Sequence, residues 1–411
     1  MPAFLAMPLM SDELVIWLPK LVTAAFVFAF GACVGSFLNV VVHRVPAGRS
    51  VVSPPSRCPI CGAMLAWHDN LPIVGWLLLR GRCRRCRHPI SIEYPAIELL
   101  VAILFAATYL ILFASDPGSF WGRIGGGWWR QLGFAGAWPA FGVLMAMVSG
   151  LVAATLIDAR TFLIPGGITT TMILVAFGGW SLQGLLPHPN WSPSTLPAHP
   201  LPPVGWTAVG LVIGAGLGLL IANLLLLTGR IPRSFADYDD YVTDDEPLAE
   251  YPHGRREMWK ELLFLAPVLA GGVVGGLTGA RVAPETAMPD LLAVLGAAGL
   301  GFLVGGALVW GVRILGTLGF GREAMGMGDV HLLAAVGAAL GWVDPIRVFF
   351  IAPFMALAWI AVSRLVASVR GREGHELPYG PHLAMATLVV IYARPLIEQV
   401  QSFILHPPPT P

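Results

Sequence analysis

Charge is scarce in this sequence. Asp, Glu, Lys and Arg make up 12% of its 411 residues, about half the share of an ordinary soluble chain. Hydrophobic residues reach 56% and mean hydropathy is +0.72. These values exclude a soluble globular domain and imply a polytopic membrane protein. A formal net charge of +1 excludes nucleic-acid binding by bulk electrostatics. The start, "MPAFLAMPLMSDELVIWLPK", lacks a basic n-region and a clear small-residue cleavage site, so no removable signal peptide is expected. Cysteine is sparse too, at five residues, four of them in two close pairs; that pattern points to a metal site rather than a disulfide framework. A glycine-rich nucleotide fingerprint is absent. Glycine itself is abundant, with 48 residues, which suits close helix packing in lipid.

A membrane helix needs roughly 20 apolar residues. Ten stretches qualify, near 18–42, 95–114, 136–158, 164–186, 205–228, 261–281, 290–318, 328–343, 346–368 and 377–396. Polar residues or shortness weaken 164–186 and 328–343. The expected fold is therefore an all-α polytopic membrane protein of about 8–10 transmembrane helices with a small cytoplasmic cysteine segment. The chain divides into a first helix (1–43), the cysteine segment (44–94), helices over 95–186, an insertion (187–290) and a last group of helices (291–411). Within the insertion, the Pro-rich "PHPNWSPSTLPAHPLPP" (187–203) reads as an extended loop, and its Asn190 sequon as chance. The acidic "ADYDDYVTDDEPLAE" (236–250), with seven carboxylates, reads as a solvated insertion. A faint likeness between 210–230 and 299–322 is explained by shared Gly-rich composition.

Basic residues orient the chain. Loop 44–94 carries Arg44, Arg49, Arg57, Arg80, Arg82, Arg84, Arg85 and Arg87, whereas 187–204 carries none. The positive-inside rule makes 44–94 cytoplasmic. Alternation then puts the acidic loop and the segment at Arg370 and Arg372 on the same side, with both termini outside.

Few acids sit within or beside the apolar stretches: Asp158, Asp329, Glu98 and Asp290. Intramembrane acids are functional candidates by default. Asp158, in "LVAATLIDARTFLIP", closes one stretch at its cytoplasmic end, and Asp329, in "GMGDVHLLAAVGAALGW", opens another on the same side. Two carboxylates sharing a site hold one proton between them, so one can act as base toward water while the other polarises a carbonyl. Gly326 and Gly328 suit close approach of a substrate backbone. Two plainer readings stand beside this one: an interfacial acid paired near Arg160, and an Asp329 that merely caps its helix.

Five segments resemble the type IV prepilin peptidases, leader peptidases of the G-x-G-D membrane aspartyl class. They are "GSFLNVVVHRVP" (35–46), the cysteine segment from Ser56 to Leu100, "LIDARTFLIP" (156–165), "REAMGMGDVHLLAAVGAALG" (322–341) and "ELPYGPHLAMA" (376–386), in the family's order. The resemblance implies removal of the basic leader from prepilins or pseudopilins, after a Gly, at the cytoplasmic face of the bacterial inner membrane. It also implies, for many members, N-methylation of the new terminus with S-adenosylmethionine. Asp158 and Asp329 match the two catalytic aspartates. Asn39 and Arg44 match a family segment, and Glu98 stands near the start of its helix as an accessory candidate. His331 departs from the family's usual Lys, and Arg160 and Gly166 replace positions that are often acidic.

The cysteines Cys58, Cys61, Cys83 and Cys86 form CxxC pairs separated by 21 residues, a spacing that suits a structural tetrahedral zinc. Two disulfides are disfavoured in a reducing cytosol. Four thiolates leave no vacancy for His43, His68 or His88, and Cys33 is expected to be a packing residue in the first helix. The expected partners are thus the lipid bilayer and a prepilin or pseudopilin. A proton-coupled transporter using the same acids is the alternative, although it gives the cysteine segment no role.

Overall fold

The computed structural model describes residues 12–186, 199–237, 241, 251–282, 286–370 and 378–405. Among these residues the chain forms helices and no strands, with two isolated bridges, Arg57 with Met64 and Arg82 with Pro89. The helices are α1 (Asp12–Arg44), α2 (Val74–Leu78), α3 (Glu93–Tyr109), α4 (Phe120–Thr161), α5 (Gly166–Leu185) and α6 (Trp206–Leu227). They continue as α7 (Gly254–Gly279), α8 (Asp290–Phe320), α9 (Met327–Leu340), α10 (Val343–Arg370), α11 (Tyr379–Tyr392) and α12 (Arg394–Leu405). Among the described residues 8 helices are long and apolar enough to cross a membrane, and α11 with α12 would make a ninth. The expected all-α, multi-pass architecture is what the structure shows.

Three boundaries differ from expectation, each for a readable reason. Helical turns precede the expected start of α4 near 136, from Phe120 on, where Arg123, Arg130 and a run of glycines dilute hydropathy; Gly126 and Gly133, at φ 65° and 67°, interrupt them, so the unbroken helix begins just past Gly133, about where expected. Helix α7 begins at Gly254 rather than 261, because "GRREMWKE" reads as a charged loop although Glu257, Met258 and Glu261 are buried. Helix α12 is amphipathic, and its mixed composition hides it from a hydropathy reading. Residues 187–198 of the Pro-rich segment, Asn190 included, and nearly all of the acidic loop lie outside the described residues.

The chain forms two compact units, residues 1–135 with 392–411, and residues 136–391. In the first, α1 packs on α3 through small residues: a Cβ on Gly35 would lie 2.6 Å from the Glu98 Cα. Cys33 is exposed on α1 rather than packed, because its neighbours Gly31 and Gly35 carry the contact instead. In the second unit, α6 and α7 meet glycine to glycine. A Cβ on Gly214 would lie 2.0 Å from the Gly271 carbonyl oxygen, and one on Gly271 2.2 Å from that of Gly214. Helices α8 and α9 do the same at Gly301 and Gly337, each 2.0 Å from the other's oxygen. Lipid offers no hydrophobic drive between helices, so backbone contact through small residues supplies the attraction. From Asp329 to Leu340 every α9 residue except His331 is buried. A 14-residue helix enclosed by α5, α8 and α10 has no need to match bilayer thickness, which explains why its stretch looks short.

Candidate active site

The second unit brings Asp158 and Asp329 together. Asp158 lies in the last turn of α4, where Phe162 N–H closes on the Asp158 carbonyl at 2.8 Å and Phe162 turns left-handed at φ 55°. The chain therefore stops being helical just past the carboxylate and swings Ile164 back. Asp329 sits in the first turn of α9, three residues after its N-cap Gly326, and its carboxylate accepts the Gly326 backbone N–H. This is one half of a capping box, so the capping reading of Asp329 is present in the structure. It does not stand alone. Asp329 interacts electrostatically with Asp158, and the two carboxylates are 9% and 4% exposed. A cap alone has no reason to bury a second acid beside it.

Helix α11 supplies the third wall. Its Gly380 N–H donates to Asp158 Oδ2 at 3.1 Å, one of the free donors that every helix start leaves. A Cβ on Gly380 would lie 2.4 Å from the same oxygen and 2.9 Å from Ile164 Cδ1. Ile164 also meets α9, where a Cβ on Gly328 would lie 2.9 Å from the Ile164 Cβ. Thus Ile164 packs against both glycines that flank the acids. Gly328 has an internal reason to lack a side chain, besides the substrate approach expected for it. Gly326 is looser, with its Cβ position 3.5 Å from Asp329 Oδ2. Tyr379, next to Gly380, interacts electrostatically with Asp329.

Gly380 and Tyr379 are not singled out by the sequence. Their signal is "YGP" in "ELPYGPHLAMA", a helix start with Pro just inside it. The acid inventory is also incomplete: Glu257, Glu261 and Asp344 are buried, whereas Asp290 opens α8 and is exposed. His331 is exposed beside the buried Asp329.

The remaining candidates fall in the first unit, where each has a local bond. Asn39 Nδ2 donates to the Tyr94 carbonyl at 3.1 Å, tying α1 to the start of α3. Arg44 Nη1 donates to the Ser50 carbonyl at 3.0 Å. Glu98 Oε2 accepts the Ile73 N–H at 2.6 Å. Ile73 is a β-branched residue at φ 62°, a costly conformation, and the bond to Glu98 pins it.

The cysteine segment is two copies of one turn. Cys58 N–H donates to the Ala63 carbonyl and Gly62 N–H to the Cys58 carbonyl, both at 2.9 Å. Cys83 N–H donates to the His88 carbonyl at 2.9 Å, and Arg87 N–H to the Cys83 carbonyl at 3.0 Å. Gly62 and Arg87 hold the equivalent left-handed position, at φ 67° and 59°. The four Sγ atoms all lie within 4.8 Å of one another. Cys58 and Cys86 are 3.8 Å apart, far beyond a disulfide bond at about 2.05 Å. A tetrahedral shell with metal–sulfur bonds of about 2.3 Å places its sulfurs roughly 3.8 Å apart. Backbone N–H groups of Cys86 and Arg85 draw the Cys83 thiol down to about 6. Cys86, although the His88 N–H lowers it, is held up at about 11 by desolvation and the other three thiols. With its four sulfurs this close, the cluster can hold a metal ion. Arg84, within the second CxxC, donates from Nε to Asp69 at 3.0 Å and holds that carboxyl below its ordinary range.

The family described as Bacterial Peptidase A24 N-terminal domain matches residues 29–112. A prepilin leader peptidase/N-methyltransferase of Myxococcus xanthus is 58% identical over 84 residues, 20% of this chain and 25% of that relative. One of Aeromonas hydrophila is 26% identical over 391 residues, 89% of each chain. Over most of its length the chain is thus similar to proteins named prepilin leader peptidase/N-methyltransferase. A further prepilin leader peptidase/N-methyltransferase, from Burkholderia pseudomallei strain 1026b, is 27% identical over 403 residues, covering 91% of this chain and 87% of the relative. The matched 29–112 region holds all four clustered cysteines, Asn39, Arg44 and Glu98, while both aspartates lie beyond it. No solved structure matches.

Proposed function

We propose that this multi-pass membrane protein is an aspartic endopeptidase that removes the basic leader from a prepilin or pseudopilin. The reading is carried by one observation: Asp158 and Asp329, from distant parts of the chain, are buried and interact where α11 begins. Two such carboxylates titrate as a pair sharing one proton. The ionised one takes a proton from water, whose oxygen attacks the scissile carbonyl carbon. The protonated one gives its proton to the carbonyl oxygen. Collapse of the tetrahedral intermediate breaks the C–N bond, and a proton passes to the leaving amine. The pair then again holds one proton. Gly380 N–H fixes the Asp158 carboxylate by one oxygen and leaves the other for water.

The positive-inside count supports an active site at the cytoplasmic face of the bacterial inner membrane. A basic leader is retained on that side by the same rule. Gly326 and Gly328 leave room for a substrate backbone, and His331, Asn39, Arg44 and Glu98 are accessory. Cys58, Cys61, Cys83 and Cys86 hold a structural zinc, which cross-links the segment 44–94 and takes no part in hydrolysis. N-methylation of the new amino terminus from S-adenosylmethionine is the second activity, on the strength of the relatives' names. Processing of a prepilin by the parent and by Asp329→Asn, followed on a gel, tests the peptidase. Normal processing by a stably folded Asp329→Asn would reject it. Transfer of label from S-adenosylmethionine to the mature pilin tests the methylation, and an unlabelled mature product would leave a peptidase alone.

A further inference from the structure

The apolar run "WGVRILG" hides one basic residue, Arg313, in the last third of α8. It is 2% exposed. An arginine inside a membrane segment is expensive unless paired, and such residues are functional candidates. Its main partner comes from the insertion: Glu261 of α7, also buried, accepts Arg313 Nε at 3.0 Å through Oε1 and at 3.3 Å through Oε2. Trp310 Nε1 donates to Glu261 Oε2 at 2.7 Å and fixes the carboxylate further. The Arg313 guanidinium lies 5.2 Å from the Phe235 ring centroid.

The other side of Arg313 faces the loop that leads into α9. Nη1 donates to Glu323 Oε1 and to the Met325 carbonyl, both in close contact. One residue earlier, Ala324 N–H donates to Thr317 Oγ1 at 3.1 Å. The carbonyl of Met325 and the N–H of Gly326 belong to one peptide group. Arg313 holds the oxygen end of that group, and Asp329 Oδ2 lies beside its other end, 3.5 Å from where a Cβ on Gly326 would sit, with the Gly326 N–H acting on the carboxylate. A peptide group is planar and trans, so fixing its carbonyl fixes the direction of its N–H. Polarising the carbonyl with a cation also strengthens the N–H as a donor.

We propose that Arg313, clamped by Glu261, is a positioning residue that orients the Asp329 carboxylate through the Met325–Gly326 peptide. The inference rests on the assignment of Asp329 to catalysis. It also gives the insertion a role, because α7 carries the carboxylate that holds the clamp.

The test compares the purified full-length protein with Arg313→Met, Arg313→Lys and Glu261→Gln in two measurements. The first is cleavage of a prepilin-type peptide across pH; the second is hydrogen exchange of backbone amides. Arg313→Met should lower kcat by roughly 10- to 100-fold, as expected for a catalytic group displaced by a fraction of an ångström. KM should stay within about threefold, and the pH limb belonging to the aspartate pair should shift. Arg313→Lys, a point charge without the fork, should recover part of kcat. Exchange should quicken at 324–331 and stay unchanged elsewhere. Unaltered kcat with unaltered exchange would overturn the proposal, as would faster exchange throughout the chain, the mark of a merely structural ion pair. If Arg313→Met fails to fold, Arg313→Lys and Glu261→Gln are read by the same criteria. If the parent itself cuts no prepilin-type peptide, the peptidase reading fails. Exchange then still decides: a local rise upholds positioning of Asp329, and no rise overturns it.

Discussion

Gly380→Ala is a sharp perturbation because it moves one atom into one place. The new Cβ would lie 2.4 Å from Asp158 Oδ2, where ordinary contact needs about 3.4 Å. The carboxylate has to move by about 1 Å, the difference of those two distances. Gly380 does not need the left-handed region of φ, so the backbone accepts alanine and the strain falls on the side chain. Rotating Asp158 away sacrifices the Gly380 N–H bond at 3.1 Å, a charge-assisted bond whose net contribution is about 1.5–3 kcal/mol. The same Cβ would lie 2.9 Å from Ile164 Cδ1, which leaves little slack. A misplacement of about 1 Å costs on the order of 100-fold in rate. Cleavage kinetics and thermal unfolding in detergent measure the two effects separately. Gly167→Ala is the control, since a Cβ there meets nothing within 4 Å and should change kcat/KM by no more than about threefold. Gly380→Ala retaining activity within that same range would refute the geometry.

Two further outcomes follow from the first unit. Cys83→Ser removes a thiol that its backbone donors draw down to about 6 and should abolish stoichiometric zinc by elemental analysis, as should a chelator acting on the parent. Zinc retained at one per chain in the serine variant would exclude the four-sulfur site. Glu98→Ala deprives the Ile73 N–H of its acceptor at a cost of about 1–3 kcal/mol. Proteolysis should then quicken at 71–80, and an unchanged cleavage pattern would show that Glu98 does not hold this turn.

How far the sequence can be read depends on the kind of signal. Helices whose apolar runs reach bilayer length, such as α3, α6 and α8, stand out from hydropathy alone. Short α9 is visible because its enclosure makes it apolar on every side. Charge counting puts Asp158 and Asp329 at one level, and the resemblance pairs them. What escapes is buried polarity within charged or apolar runs. Glu257 and Glu261 sit in a segment that looks like a loop, and their burial depends on Lys260, Phe235 and Arg313, partners no periodicity announces. Arg313 is lost among its apolar neighbours, although a lone intramembrane cation carries the same warning as a lone acid. Gly380 cannot be found by composition at all. Its role exists only because α11 begins against Asp158, a contact between residues 222 apart in sequence.

The account stands on Asp158 and Asp329 working as one unit. Kinetics of Asp158→Asn, Asp329→Asn and the double variant on one prepilin substrate measure this directly. Groups that act together are strongly non-additive. Each single substitution should therefore cost roughly 10²–10⁴-fold, and the double variant no more than the worse single. Losses that multiply in the double variant, or a single variant that still cleaves at the parent's rate, would contradict it.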